Sequence, residues 1–428
     1  MILIKQCSKL EKQLLVGFLI ILAIASFIFI KNKSLKNSIP NFGGTYTEGI
    51  VASTDSELSE TLDSLTKIGL TSFSSDGKII PDLAESWQIS ADGLSYVFKI
   101  RNIITADEVI KIIKDNKKEW NDISLTKIDD RQIKFELKQP LGPFLARTTE
   151  PMYPYGPYKI NKTTKSEVVL DSNKNYWEKT PYINKIILKL YNDDLSLQEA
   201  LKRKEIMGGL LTNNEDIGNF KKIEFNLPKY KMVFFNLTRQ PFSDKDLRKK
   251  IVSGENLGST VNAHLALIEN ENDLILAGDL IEKWSALGLK VTVDTYSAST
   301  LQKEVIPNKD YDILLYGIDY GVEEDPYPYF HSSQNASGSN FSGFVNKNAD
   351  KILEDARLTT DETERFKKYE EFKKIFNEEV PAMVVKQEKY SYYISDQIKG
   401  ISELKRNSNS GDRFNSVDSW YIKEKKVK

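Results

Sequence analysis

Residues 264–296 read HLALIENENDLILAGDLIEKWSALGLKVTVDTY, and three elements stand in that one run. His264–Glu269 is apolar and short enough for a strand. Leu276, Leu280, Ile281, Trp284 and Leu287 then recur at helical spacing, and Gly288 marks the helix end. Lys290–Tyr296 alternates polar and apolar residues, as a half-buried strand does. Further on, YDILLYGI at Tyr311–Ile318 is an unbroken apolar run with the length of a fully buried strand. Strand, helix and strand within ~30 residues form a βαβ unit and require a partly parallel sheet. The fold class read from this stretch is α/β.

Outward from it, the pattern stays mixed. A helical pair is predicted between Asn348 and Asn377, and Pro381–Val385 returns as a strand. Towards the N-terminus, Met232–Asn236 is a short apolar strand, and Leu195–Lys202 reads as a helix after strands at Glu167–Asp171 and Lys185–Leu190. The stretch 140–157 holds five prolines among aromatics, which marks a crossover rather than an element interior. Before it come alternating strands at Gln132–Leu137 and Ser95–Ile100, and a helix from Ala106 with Thr105 and Glu108 in capping-box positions. Ile79–Trp87 reads as one strand between turns at Asp76-Gly77 and Asp92-Gly93, Leu58–Leu70 as a helix, and Thr45–Ala52 as the first strand. No repeat of fixed period is visible.

Composition narrows the function. The 428 residues carry 60 basic and 61 acidic side chains, so no global basic field exists and no nucleic-acid partner is expected. One cysteine (Cys7) and two histidines (His264, His331) exclude a disulfide framework, a zinc cluster and the usual Cys–His or Ser–His catalysis. His331 stands alone as a metal ligand and is read as structural; His264 is expected to be packed in its strand. No cofactor is expected. A hydrolase using paired carboxylates is not excluded by counting, but no phosphate loop or H-E-x-x-H motif points to chemistry. The expectation is that the protein is not an enzyme.

The N-terminus has its own logic. Leu14–Ile30 runs without a charge, follows Lys5, Lys9 and Lys12, and precedes Lys31, Lys33 and Lys36. It is longer than a typical secretory h-region, with no A-x-A site or cysteine after it. The reading is a basic segment 1–13, a single-pass membrane anchor 14–30, a stalk 31–42, and an extracellular or periplasmic remainder. A cleaved signal peptide is the alternative.

Several segments together resemble the extracellular solute-binding proteins of family 5, the peptide/nickel-type receptors of ABC importers. GKIIPDLAESW at Gly77–Trp87 with ISADGLSYVFKI at Ile89–Ile100 is the most specific stretch. TADEV (Thr105–Val109), FELKQPLGPFL (Phe135–Leu145), GPYK (Gly156–Lys159), NYW (Asn175–Trp177), PFSDKDLR (Pro241–Arg248), DPYPYFHSSQ (Asp325–Gln334) and NFSGF (Asn340–Phe344) follow in the family's order. The chain departs from the pattern by joining Ile100 to Thr105 through Arg101–Ile104 alone, and by shortened stretches after Leu145 and Arg248.

The resemblance implies a two-lobed binding-protein fold with mixed sheets and a discontinuous first lobe. Residues 43–240 plus 387–428 would make lobe one, with a subdomain at about 59–149, and residues 241–386 lobe two. It implies a monomeric importer subunit that captures oligopeptides or similar solutes and presents them to permease and ATPase subunits. A surface receptor or scaffold of the same fold is the alternative. An Asp after the buried strand of lobe two often holds the peptide ammonium in that family, and Asp319 fits by position. Asp325 is the second candidate, and Tyr316, Tyr320 and Tyr327 would supply rigid rings with polar tips to a tolerant cleft. For any single ring, lobe packing is the competing reading, as it is for Tyr153, Tyr155 and Tyr158.

Overall fold

The computed structural model describes residues 38–426 except 52–54, 117–119, 121–122, 213–215, 337 and 403–404, together with residues 21, 22 and 24–26. The predicted span 14–30 therefore lies largely outside the described residues, and among those described no helix is long and apolar enough to cross a membrane.

Strands β1 (Ser38–Asn41) and β2 (Thr45–Val51) precede the helix Asp55–Thr66. Next come β3 (Thr71–Phe73), β4 (Ile79–Pro81), β5 (Ala84–Ile89), β6 (Ser95–Ile100), the helix Ala106–Asp115, and the hairpin of β7 (Ile123–Asp129) and β8 (Gln132–Leu137). Then β9 (Tyr158–Thr163), β10 (Glu167–Ser172), β11 (Lys185–Tyr191) and β12 (Gly208–Leu211) lead to the long β13 (Phe220–Phe235). The second half contains β14 (Val261–Ile268), β15 (Leu289–Tyr296), β16 (Ile313–Asp319), the helices Lys347–Leu358 and Glu362–Glu379, β17 (Ala382–Ser395) and β18 (Lys423–Lys426).

Ten of these strands share one sheet in the order β15-β14-β16-β13-β17-β12-β2-β11-β10-β9. The βαβ unit is realised: β14 and β15 run parallel from Val261 opposite Leu289 to Ile268 opposite Tyr296, and β16 adds in parallel on the other side of β14. The connecting helix Glu271–Leu287 starts where the Asn270 side chain accepts the Asp273 N–H at 2.8 Å. It stops at Gly288, whose φ of +101° is a left-handed cap that a side chain would strain.

The apolar runs at 232–235 and 313–315 are explained by burial on both sheet faces. Met232 and Phe234 face one core with Leu314, whereas Val233 and Phe235 face another with Ile313 and Leu315. The other end of the sheet has its own core around Tyr46, Leu188, Tyr392 and Trp420. β13 and β17 serve both ends, because Phe225, Tyr392 and Ile394 belong to that core. Their antiparallel register breaks between Asn226 and Tyr230 and again between Lys231 and Met232. The molecule is a two-lobed α/β protein whose lobes share two long strands. A separate four-stranded sheet, β5-β6-β8-β7, closes over Phe98, Phe135 and Phe144 beside the first lobe.

Some expectations shift. The expected strand Ile79–Trp87 is interrupted at Asp82-Leu83 and becomes β4 and β5. The helix expected at Leu58–Leu70 is Asp55–Thr66: a side chain at Gly69 would press on the carbonyls of Thr148 and Thr149, so the chain there is extended along that loop. β13 and β17 run well beyond the apolar runs that announced them, through stretches rich in charged residues. His264 is not packed but exposed, with Nδ1 3.1 Å from an Asp294 carboxylate oxygen. It lies on a strand facing away from the Leu265 and Leu267 core. The capping box at Thr105 and Glu108 forms as expected, with the Glu108 carboxylate accepting the Thr105 N–H at 2.9 Å.

Candidate functional site

The loop leaving β16 gathers the predicted site residues. Asp319 is the last residue of β16 and is exposed; its carboxylate accepts the Gly321 N–H at 2.7 Å. The Tyr329 hydroxyl donates to the Asp319 carbonyl at 2.7 Å, which fixes the strand end against the following short helix Tyr327–Phe330. Tyr320 is tied to β13 by its N–H to the Pro228 carbonyl at 2.9 Å. Its ring meets Tyr230 and Tyr329 edge-on at 5.3 and 5.5 Å, and burial pushes its phenol well above the ordinary range. This interlocked pair of contacts is packing, yet it holds Asp319 at the rim.

Asp325 is already engaged. One oxygen accepts the Tyr327 N–H at 3.0 Å, and the other pairs with Arg357 at 2.7 Å. The same guanidinium lies 3.9 Å from the centre of the Tyr327 ring, and Tyr327 stacks on His331 at 4.2 Å. His331 is buried, with Nδ1 2.8 Å from Ser333 Oγ and Nε2 3.2 Å from Glu354, in keeping with its structural reading. Tyr316 stands apart, receiving a hydrogen bond from Gln302 at 2.9 Å and packing edge-on against Phe341. The structure thus links Asp319, Tyr320 and Tyr329 in one group, and Asp325, Tyr327 and Arg357 in another.

Sequence reasoning missed the partners. Glu323 sits between the two groups and is buried against Arg365, with Arg406 on its second oxygen at 3.3 Å. Inside the first lobe, Glu48 and Arg413 are both wholly buried and 2.9 Å apart. The Tyr46 and Tyr392 hydroxyls also bond Glu48, and Thr61 takes an Arg413 N–H at 3.0 Å. Beside them the Glu57 carboxyl is pushed up to about 7 by burial. The single clue was the residue types themselves, since Arg365 lies 42 positions from Glu323 and Arg413 lies 365 from Glu48.

The family-like segments prove to be joints. Asp82, in the first landmark, accepts the indole N–H of Trp177 from the NYW landmark at 2.9 Å, and Arg101 lies 3.4 Å over that indole. Asn173 donates to the carbonyl of Gly156 in GPYK at 2.9 Å. Arg248, buried, donates to the carbonyls of Val380, Phe242 and Glu379 at 3.0, 2.7 and 2.6 Å. Asn340 spans the carbonyls of His331 and Phe344 at 3.2 and 2.9 Å.

Burial pushes the Asp82 carboxyl up to about 7. A folded-state value above the unfolded one means the native chain holds this proton more tightly, so the group's contribution declines as pH rises from about 4 to about 7. Asp82→Asn keeps an acceptor for Trp177 and is expected to add on the order of 2 kcal/mol at pH 8 while changing little at pH 4. Denaturation at the two pH values checks this; an equal shift at both would contradict it.

Two cavities of about 80 Å³ each lie in the first lobe, one reached by Asp82, Tyr176 and Asp418 and the other by Tyr392, Asn407 and Arg413. Each has room for a few waters, whereas small-molecule sites occupy ~300–1,000 Å³. Neither is large enough for a solute site, and the exposed Asp319 at the end of β16 stays the candidate.

Two lobes sharing a pair of long strands define a two-lobed binding-protein fold. Residues 78–251 match the family model for bacterial extracellular solute-binding proteins, family 5, middle region. The di/tripeptide-binding protein 2 of Pseudomonas aeruginosa is 22% identical over 71% of this chain and 80% of its own. Among solved structures, HbpA2 of Haemophilus parasuis superimposes with a TM-score of 0.77 at 16% identity, over 89% of this chain and 100% of its own. The oligopeptide-binding protein AppA of Bacillus subtilis, in complex with a nonapeptide, gives 0.67 at 17% identity, over 90% and 99%. At such identities the structures speak for the fold. Residues 78–251 thus carry the middle region of the extracellular solute-binding proteins of family 5, and the chain as a whole is similar to peptide-binding proteins.

Proposed function

We propose that this protein is the non-catalytic receptor subunit of an ABC importer. It captures peptides or peptide-like solutes between its lobes and presents them to permease and ATPase subunits. The observation that carries the reading is Asp319, an exposed carboxylate at the end of a strand in a parallel pair, where ligands of α/β sheets commonly bind. The similarity to a di/tripeptide-binding protein supports the solute class. Residues 43–240 with 387–428 would form the first lobe and 241–386 the bulk of the second, with β13 and β17 as the hinge. Closure of one lobe on the other is the signal passed to the permease. Native purification followed by mass spectrometry of co-eluting small molecules is expected to recover short peptides; a sugar or metal chelate alone would overturn the solute class.

The receptor acts as a monomer tethered through residues 14–30, with its bulk outside the membrane. Tethering keeps its local concentration high near a weakly bound permease. Membrane fractionation is expected to retain the full-length chain. A soluble form beginning near Asn32–Ser38 would show cleavage instead.

A further inference from the structure

The geometry points to Arg406 as a latch between the lobes that positions the acidic loop Asp319–Asp325. Arg406 belongs to the segment after β17, on the first-lobe side. The neighbouring Lys405 N–H donates to the Ser75 carbonyl at 3.2 Å, and the Arg406 guanidinium lies 5.5 Å from the Phe73 ring of β3. Across the gap it lies 5.3 Å from the Phe366 ring of the helix Glu362–Glu379. One aromatic from each side brackets it.

Its nitrogens reach two carboxylates of the opposite lobe. Nη1 is 3.3 Å from a Glu323 oxygen, and Nη2 pairs with Glu362. The second Glu323 oxygen pairs with Arg365, whose Nη1 donates to the Thr359 and Thr360 carbonyls at 3.0 and 3.3 Å. Glu323 and Arg365 are both buried. With the lobes together, two carboxylates face two guanidinium groups. With the lobes apart, Glu323 would keep Arg365, Glu362 would lose Arg406, and Arg406 would be left on the other lobe. That imbalance draws the lobes together.

A second contact converges on the same loop. The Gly142 N–H donates to the Arg357 carbonyl at 2.6 Å, and any side chain at Gly142 would run into the Thr359 carbonyl. Arg357 is the residue whose side chain holds Asp325. Glu323 and Asp325 are thus fixed by groups that contact the first lobe, one through Arg406 and one through Arg357 and Gly142. The latch sets the loop that carries Asp319 only when the lobes are closed, so it couples capture to closure without touching the solute.

The test uses the full chain with Cys7→Ser, and spin labels at Lys111→Cys and Lys373→Cys, both exposed and on different lobes. Arg406→Gln removes the charge, and Gly142→Ala blocks the approach from the other side while removing no charged group. Each is expected to move the ligand-free distance distribution from its short component to longer distances. With Ala-Ala and Ala-Ala-Ala as probes, dissociation is expected to quicken ~10-fold by the same factor for both, with association nearly unchanged. Arg406→Lys is expected to recover part of the short component. Unchanged distributions in both variants would overturn the latch, as would an effect confined to one peptide. The affinity arm rests on the proposed peptide capture. If neither peptide binds the parent chain, that reading fails, and the distance measurement alone decides the latch.

Discussion

Arg413→Ala is expected to destabilise the protein by about 3–5 kcal/mol, the cost of stranding one partner of a buried ion pair. The Arg413 and Glu48 side chains are each 0% exposed, so either one is stranded in the interior when the other is lost. Arg413 also donates to the Ser410 carbonyl and to Thr61, and stands 3.6 Å from Glu57. Its removal leaves Glu48 with the hydroxyls of Tyr46 and Tyr392 alone. Burial already raises the Glu48 carboxyl above the ordinary range, and loss of the opposing cation raises it further. The variant's Glu48 therefore takes up a proton on folding, and its stability deficit grows as pH rises. Denaturant titration at pH 5 and pH 8 reads both statements. Arg413→Met with Glu48→Gln is expected to recover a large part of the loss, because no charge is then stranded. A loss below about 1 kcal/mol for the single variant would show that water reaches Glu48.

The contrast between what could be read in advance and what could not follows the range of the interactions. The helix after Asn270, the cap at Gly288 and the capping box at Thr105 depend on residues within a few positions of one another, and all are present. The apolar runs at 232–235 and 313–315 announce strands buried on both faces, because no other environment accepts such a run. The family-like segments were legible for a related reason. Asp82 with Trp177, Asn173 with Gly156, and Arg248 with Val380 are joints of the fold, and joints demand particular residue types. The polar part of the molecule was opaque. Glu48 in TYTEGIV looks like any strand residue, and its partner lies 365 positions away. Asp325 and Glu323 looked alike as loop acids. Arg357 and Arg365 separate them from Asp319, and only the fold brings those side chains near. The long reach of β13 and β17 was hidden because charged residues interrupt the apolar pattern along both strands, from Lys221 to Lys231 and from Lys386 to Lys389.

Asp319→Ala is expected to weaken the binding of free-amine dipeptides by ~10- to 100-fold, the range set by a charge-assisted hydrogen bond of ~1.5–3 kcal/mol. Of the four acids of this loop, Asp325 is paired with Arg357 and Glu323 with Arg365, Glu324 is exposed, and the Asp319 carboxylate at the strand end accepts the Gly321 N–H. A ligand ammonium at Asp319 therefore displaces no cation, while at Asp325 it would have to replace a guanidinium at 2.7 Å. Exposure of Asp319 places the effect below that of a fully buried pair. Asp319→Asn separates the two roles of the side chain, since its amide oxygen keeps the Gly321 contact but lacks the charge. It is expected to fold and melt like the parent and to bind nearly as weakly as Asp319→Ala. N-acetylated dipeptides, which have no ammonium, are expected to bind the parent and both variants alike. Calorimetric titration of the two peptide forms against the three proteins completes the cycle. Equal affinity of the parent and Asp319→Ala for free-amine peptides, with unchanged melting, would place the ammonium elsewhere, and Asp325 would be the next carboxylate to vary.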